Sequence, residues 1–432
     1  MDSYIFYTVL FVLLLILLGL GLPIAFVLGS ISVIGIIWAL DYNVLYQLAQ
    51  IALDTGSNFI FTMIPLFILM AEIFSISALG KDAFSAAQKW FYRLPGSLAV
   101  SGIGSSAGFA AVSGSSPVTV AVVGIVAVPE MISSGYDRKL AAGSVAAGGT
   151  LGIMIPPSMA MIIYGVITET SVGKLFIGGI VPGILLAIML SLLVVIRVKL
   201  NPSLAPSLGE VSWRQRLVSL LRVWPVVVIS IAVIGSIYTG IATPTEAASV
   251  GASGALLIML ILGRLNVLSL YKALMRTATT TCMALFLILG GLSVSFFVST
   301  MGIPHEISNF LQSLSVSPWI IIVLINLIYL ILGCFLDPMS ILVITLPLIF
   351  PTVNAMGFDP IWFGIVVTLN IEIGMITPPV GLNLYILKTV VPELRLEEIM
   401  LGALPFVVVL IIGLAVLMIF PSLALWLPSM MR

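Results

Sequence analysis

Eight stretches of this chain stay apolar for about 20 residues or more, the length a helix needs to cross the hydrocarbon of a bilayer. They are 4–20, 22–40, 58–79, 174–198, 223–241, 244–263, 276–300 and 398–427. The first two are parted by Gly19 to Pro23 and read either as one bent unit or as two spans. The runs are continuous rather than alternating, so a helical bundle is expected and a barrel is not. Composition agrees: 61% of residues are AVILMFWYC and 8% are charged, where a water-soluble domain carries about 25% charged residues. The first run begins at Tyr4 with almost no basic residue before it, which disfavours a cleaved signal peptide. The expected class is an all-α polytopic membrane protein, embedded in a lipid bilayer.

Four further stretches are apolar but interrupted. Residues 97–133 and 317–354 are each broken midway, by Ser113-Gly114-Ser115-Ser116-Pro117 and by Leu336-Asp337-Pro338. Halves of about 15 residues are too short to span, so each is expected to be a re-entrant helical hairpin with a polar tip. Residues 137–168 and 358–390 are long enough to cross, yet carry Ile155-Pro156-Pro157-Ser158 and Thr377-Pro378-Pro379-Val380 near the middle. Two adjacent prolines remove two backbone donors and clash with the preceding turn, so each helix is predicted to unwind there. The total is about 10–11 transmembrane helices plus two hairpins.

Charge orients this layout. With hairpins returning to the side they leave, connections 80–96, 133–139, 197–222, 264–276 and 388–397 share one face. Fifteen of the 17 Lys and Arg lie in them or at their edges, and only Lys174 and Arg432 fall opposite. The positive-inside rule makes that face cytoplasmic and 43–57 periplasmic. Within 197–222, the stretch 213–224 (WRQRLVSLLRVW) reads as an amphipathic helix on the cytoplasmic surface.

The two halves match. Gly135-Tyr136-Asp137 pairs with Gly357-Phe358-Asp359, Pro129 with Pro351, Gly152 with Gly374 and Pro156-Pro157 with Pro378-Pro379, every pair 222 positions apart. The same offset sets Ser115 against Asp337. A hairpin followed by a broken helix therefore occurs twice, and charge gives the copies opposite orientation. Inverted repeats with interrupted helices point to a secondary transporter with its site near the midplane. Irregular backbone at that depth is tolerated where it lines a cavity or is buried in protein. Its hydroxyls and free carbonyls suit a sodium ion, and its helix N-termini suit an anionic group.

Four acids fall inside expected spans: Glu72, Glu246, Asp337 and Glu372. A charge there costs about 2.5–3.5 kcal/mol or more. Asp337, at a hairpin tip beside a proline, is expected to bind ion or substrate. Glu246 in Thr243-Pro244-Thr245-Glu246 begins a helix and reads equally as a cap. Glu72 and Glu372 have no partner visible in the sequence. Gly143, Gly148, Gly149 and Gly152 read as close helix packing, and His305, Cys282 and Cys334 as structural residues. Zero net charge offers no basic field for nucleic acid, and no ATP-binding, HExxH or GxSxG motif argues for an enzyme. No cofactor is expected.

These motifs resemble a known family. SGSSPVTVAVVG (113–124), GYDRKLAAG (135–143), IPPSMAMIIYG (155–165), GKLFIGGIVPG (173–183), TPTEAA (243–248), LGCFLDP (332–338) and ITPPVGLNLY (376–385) are similar in order and spacing to the large membrane subunit of TRAP (tripartite ATP-independent periplasmic) transporters. The resemblance implies an elevator-type carrier in a bacterial inner membrane, driven by a sodium gradient. It also implies a small four-helix membrane subunit, a periplasmic substrate-binding protein and a small organic anion as cargo. In such relatives sodium binds where hairpin tips meet broken helices. That carries over to Ser113, Gly114, Ser115, Ser116 and Pro117 with Pro156 and Pro157, and to Asp337 and Pro338 with Thr377, Pro378, Pro379 and Gly381. Substrate contact is expected at Ser116, Thr119, Ser158 and Asp337. Many members carry an aspartate just after the SGS of the first hairpin, where this chain has Thr119, a departure that bears on substrate identity.

The domain reading is 1–80 and 223–316 as the two halves of a scaffold, and 81–198 and 317–432 as the two transport repeats. Residues 199–222 are then a cytoplasmic connection. Two other readings stay open at this point: a stand-alone sodium/organic-anion symporter with the same repeat plan, and a channel.

Overall fold

The computed structural model describes residues 3–77, 79–206, 211–264, 266–303, 306 and 316–431, so His305 lies outside the described residues. Among these there is helix and no strand.

The first two apolar runs form α1 (Ser3–Gly19) and α2 (Ile24–Ala39). Phe6 near the start of α1 meets Trp38 near the end of α2 edge-on, ring centroids 5.3 Å apart. The pair is therefore an antiparallel hairpin of two helices. Residues 43–57 contain α3 (Leu45–Ser57), and α4 (Met63–Ser75) follows, with the helical stretches Tyr42–Ser57 and Phe59–Ser75 meeting at 51°. The expected span 58–79 thus begins at a bend.

Several charged connections turn out helical. The stretch 80–96 contains α5 (Leu79–Phe91), and α11 (Val172–Leu200) precedes α12 (Trp213–Tyr238). The surface helix expected over 213–224 is not a separate element. It runs unbroken through Pro225 into the following span as one helix of 26 residues. Polarity changes at the membrane boundary, but nothing there stops the backbone hydrogen-bond ladder, so the helix continues. The same holds for α14 (Val267–Thr300), which begins well before residue 276. Between them, α13 (Pro244–Ile261) opens on a reciprocal cap: Glu246 Oε2 accepts from the Thr243 N–H at 2.8 Å, and Thr243 Oγ1 from the Glu246 N–H at 3.3 Å. The capping reading of Glu246 holds.

Both hairpins form. In the first, α6 (Ser97–Ser113) and α7 (Ser116–Ser133) are joined at 114–115. Tyr136, just past α7, accepts from the Leu98 N–H at the start of α6 at 3.1 Å, so both ends of the hairpin leave from one place. In the second, α15 (Pro318–Gly333) and α16 (Pro338–Ala355) are joined at 334–337. Trp319 at its entrance packs edge-on against Phe358 just past its exit, centroids 5.2 Å apart. Thr345 Oγ1 donates to the Tyr329 hydroxyl between the two arms at 2.8 Å.

The broken helices run in opposite directions. The first comprises α8 (Arg138–Gly149), the short α9 (Leu151–Met154) and α10 (Met159–Ile167). The second comprises α17 (Pro360–Met375) and α18 (Leu382–Val390), followed by α19 (Leu396–Ile419) and α20 (Ser422–Ser429). Arg138, where the first begins, donates to the Glu393 carbonyl and pairs with Glu398 at 3.1 Å, where the second has ended. Tyr164, near the end of the first, donates to the Pro360 carbonyl at 2.7 Å, where the second begins. Between these levels α19 crosses in 24 residues, roughly 36 Å at 1.5 Å per residue; its far end accepts the Trp362 indole N–H at Leu417 at 2.9 Å. The inversion read from charge is therefore built into long-range contacts.

Every side chain from Trp362 to Met375 is buried, and so is every one from Leu140 to Met154. Helices buried on all sides lie in the middle of the bundle. Glycines let them pack tightly: a Cβ on Gly143 would run into the Gly402 carbonyl of α19, and one on Gly402 into Lys139.

Topology offers a direct check. Ser203 is exposed in the connection between α11 and α12. A cysteine placed there is expected to resist impermeant thiol reagents in intact cells and to react in inside-out vesicles. Labelling from the periplasm would overturn the orientation.

Candidate functional site

Each hairpin tip touches its own broken helix. At the first, Gly114 adopts φ of 60°, which favours glycine, and its carbonyl accepts the Met159 N–H at 3.3 Å. A Cβ on Gly114 would lie 2.7 Å from the Pro157 carbonyl oxygen, so close approach also requires glycine there. Ser115 is extended, and Ser116-Pro117 opens α7 with proline in the first turn, where its missing N–H costs nothing. Ser158 caps α10, accepting from the Met161 N–H at 3.4 Å. The Pro156-Pro157 bond is cis.

The second tip repeats the contact. Cys334 O accepts the Gly381 N–H at 2.9 Å; Gly381 stands 222 positions after Met159. Gly381 has φ of 62°, and Pro378-Pro379 is also cis. Gly374, the counterpart of Gly152, lies against the tip: its Cβ would come 2.5 Å from Gly333 Cα. Gly152 does the same at the first tip, 2.7 Å from the Ser115 carbonyl oxygen. The small-residue reading of Gly143, Gly148 and Gly149 as helix packing agrees with their neighbours, whereas Gly152 and Gly374 hold the tips.

Asp337 caps α16. Its Oδ1 accepts the N–H groups of Met339 and Ser340, both at 3.1 Å, and its Oδ2 accepts the Ser340 hydroxyl. The positive end of the helix thus offsets a charge that membrane depth would penalise.

A cavity of about 120 Å³ lies between the first tip and the rest of the bundle. Ser113, Gly114, Ser115, Pro157 and Ser158 line one side; Phe67, Ala71 and Glu72 of α4, Thr280 of α14 and Met339 of α16 face them. The structure so brings five of the expected residues to one wall. Asp337, Pro338, Thr377, Pro378, Pro379 and Gly381 gather instead around the second tip. Thr119 turns inward: its hydroxyl meets Ser113 Oγ at 2.8 Å and donates to the Ser115 carbonyl at 2.9 Å. Ser116 is completely buried and does not line the cavity.

Sequence reasoning missed the opposite wall. Glu72 has a partner, Arg276 Nη1 at 3.7 Å, and Thr280 lies one turn further along α14 on the same face. No local spacing joins residues some two hundred positions apart, so only the fold could reveal this pair. What the site offers is hydroxyls, backbone carbonyls and the N-termini of α7 and α10. Those groups bind and release; they do not form a nucleophile–base pair.

The chain matches the profile of the family described as tripartite ATP-independent periplasmic transporter, DctM component, over residues 11–423. It belongs to that family. It is 36% identical over 377 residues to the C4-dicarboxylate TRAP transporter large permease protein DctM of Pseudomonas aeruginosa, covering 87% of this chain and 88% of that one. It is 29% identical to the sialic acid TRAP transporter large permease protein SiaM of Vibrio cholerae, over 96% of each. In fold it is similar to the YdaH transporter of Alcanivorax borkumensis, with a TM-score of 0.59 at 15% identity and 91% of each chain covered. This TRAP large permease is a transport subunit rather than an enzyme, and a multi-pass membrane protein of a tripartite system. The channel and stand-alone symporter readings give way to it.

Proposed function

We propose that this chain is the permease of a sodium-gradient-driven importer of a small organic anion, working in a bacterial inner membrane. It acts with a small four-helix membrane subunit and takes its substrate from a periplasmic binding protein. The observation that carries the reading is the pair of tip–break contacts, Gly114 with Met159 and Cys334 with Gly381, related by inversion. Each leaves hydroxyl and carbonyl oxygens beside unwound backbone, hard ligands of the kind that coordinate sodium in transporters with interrupted helices.

Sodium would sit with Ser113, Gly114, Ser115, Pro156 and Pro157 at the first tip, and with Asp337, Thr377, Pro378, Pro379 and Gly381 at the second. The substrate anion would enter the cavity beside Ser115 and Ser158, toward the positive end of α10. Movement of the hairpins and broken helices against α4 and α14 would then carry cargo across, as in an elevator. The relatives are named for dicarboxylate and sialic acid, so a small organic anion is the class proposed and the binding protein makes the finer choice.

The test is uptake in proteoliposomes holding both membrane subunits, supplied with loaded binding protein. Replacing external sodium by potassium at unchanged membrane potential is expected to abolish uptake. Full uptake in potassium, driven by protons alone, would overturn the sodium assignment.

A further inference from the structure

Glu372 is the most exposed contradiction in this fold's electrostatics. It lies in the last turn of α17, is 1% accessible, and neither carboxylate oxygen has a hydrogen-bond partner. Among the described residues no Lys, Arg or His pairs with it. The polar group facing it is the Ser116 hydroxyl at the start of α7. That hydroxyl is itself fully buried and stands outside hydrogen-bonding geometry.

A third group reaches the same level. Asn383, in the first turn of α18, is fully buried with both amide atoms unpartnered. One turn further on, Leu387 packs against Gly124 of α7. The helices α7 and α18 run side by side from the tips toward the Arg138–Glu393 contact, so Asn383 stands level with the first turns of α7. The last turn of α17 and the first turns of α7 and α18 thus carry, on three buried side chains from the two repeats, five unsatisfied polar atoms. Buried groups of this kind are paired or hold water or an ion, and a carboxylate that stays ionised at this depth needs a cation to offset it.

The repeat explains why this is not architecture. Thr150 is the counterpart of Glu372, and it donates to the Ala147 carbonyl. Met161 is the counterpart of Asn383. The first repeat builds the same broken helix with neither polar group, so the fold does not need them.

We infer that Glu372, Ser116 and Asn383 form an additional monovalent-cation site between the two repeats, with the Glu372 carboxylate as its anionic ligand. The inference rests on the sodium reading above. The ligand set is hard oxygen: two from the carboxylate, one hydroxyl and one amide carbonyl. Because the site joins the repeats, its occupancy ties both tips together.

Equilibrium binding of radioactive sodium to the purified complex of large and small subunits tests this. Glu372→Gln, which keeps the shape and removes the charge, is expected to bind one ion fewer per chain than wild type. Ser116→Ala suits the first turn of a helix and is expected to weaken one ion by about tenfold or more, by the usual cost of losing a supporting ligand. It decides the matter even if the Gln variant does not assemble. An unchanged ion count in Glu372→Gln, or unchanged affinities in Ser116→Ala, overturns this site and leaves sodium coupling standing. No sodium bound by wild type overturns both.

Discussion

Replacing Asp337 with alanine is expected to reduce uptake at least tenfold, to the level of empty vesicles, while the complex with the small subunit still assembles. Alanine removes the acceptor for two backbone N–H groups and the Ser340 hydroxyl. Loss of such a cap costs about 0.5–2 kcal/mol, too little to unfold the bundle. It falls, however, at the tip that receives Gly381, where a shift of the first turn of α16 would move every oxygen around it. Asp337→Asn separates two roles, since asparagine also caps well. If the charge balances sodium, half-maximal uptake in the asparagine variant requires much more sodium at an unchanged substrate dependence. If instead the carboxylate accepts from substrate, the substrate dependence moves and the sodium dependence stays. Wild-type uptake in both variants would make the cap purely structural and misplace the site.

A single methyl group at Gly374 or Gly152 is the second substitution with a large expected effect. At Gly374 the new Cβ would meet Gly333 Cα at 2.5 Å and the Leu330 carbonyl oxygen at 2.9 Å. At Gly152 it would meet the Ser115 carbonyl oxygen and Thr119 Oγ1, both at 2.7 Å. These obstacles are mostly backbone, so the tip has to back away from the broken helix. Overpacking costs about 1–3 kcal/mol. Gly374→Ala and Gly152→Ala are each expected to lower the melting temperature of the purified complex and to cut uptake about tenfold or more. Gly108→Ala, in the first hairpin but with open space around it, is expected to match wild type in both assays. Equal behaviour of all three would mean that tip contact is not what transport requires.

Much of this architecture was legible one residue at a time. Paired prolines at 156–157 and 378–379 stop a helix whatever surrounds them, so both breaks lie where the sequence puts them. Gly152 and Gly374 share a register because both repeats need backbone within reach of a tip. Glu246 declared itself a cap through its threonine three residues earlier. Element ends were less legible. The stretch 213–224 and the starts of α5 and α14 look like connections because their charge rises, yet a helix leaving hydrocarbon has no reason to end at the boundary.

What the sequence determined by itself, then, is what local backbone chemistry and the solvent govern: helices because lipid cannot satisfy a free N–H, and breaks because of proline. Tertiary structure alone decided which of these pieces meet. That α1 and α2 are two helices follows from Phe6 against Trp38. That Glu72 faces Arg276 and that Glu372 lies against Ser116 are facts of contact. Contacts between residues hundreds of positions apart depend on how whole helices pack, and no spacing along one chain encodes them.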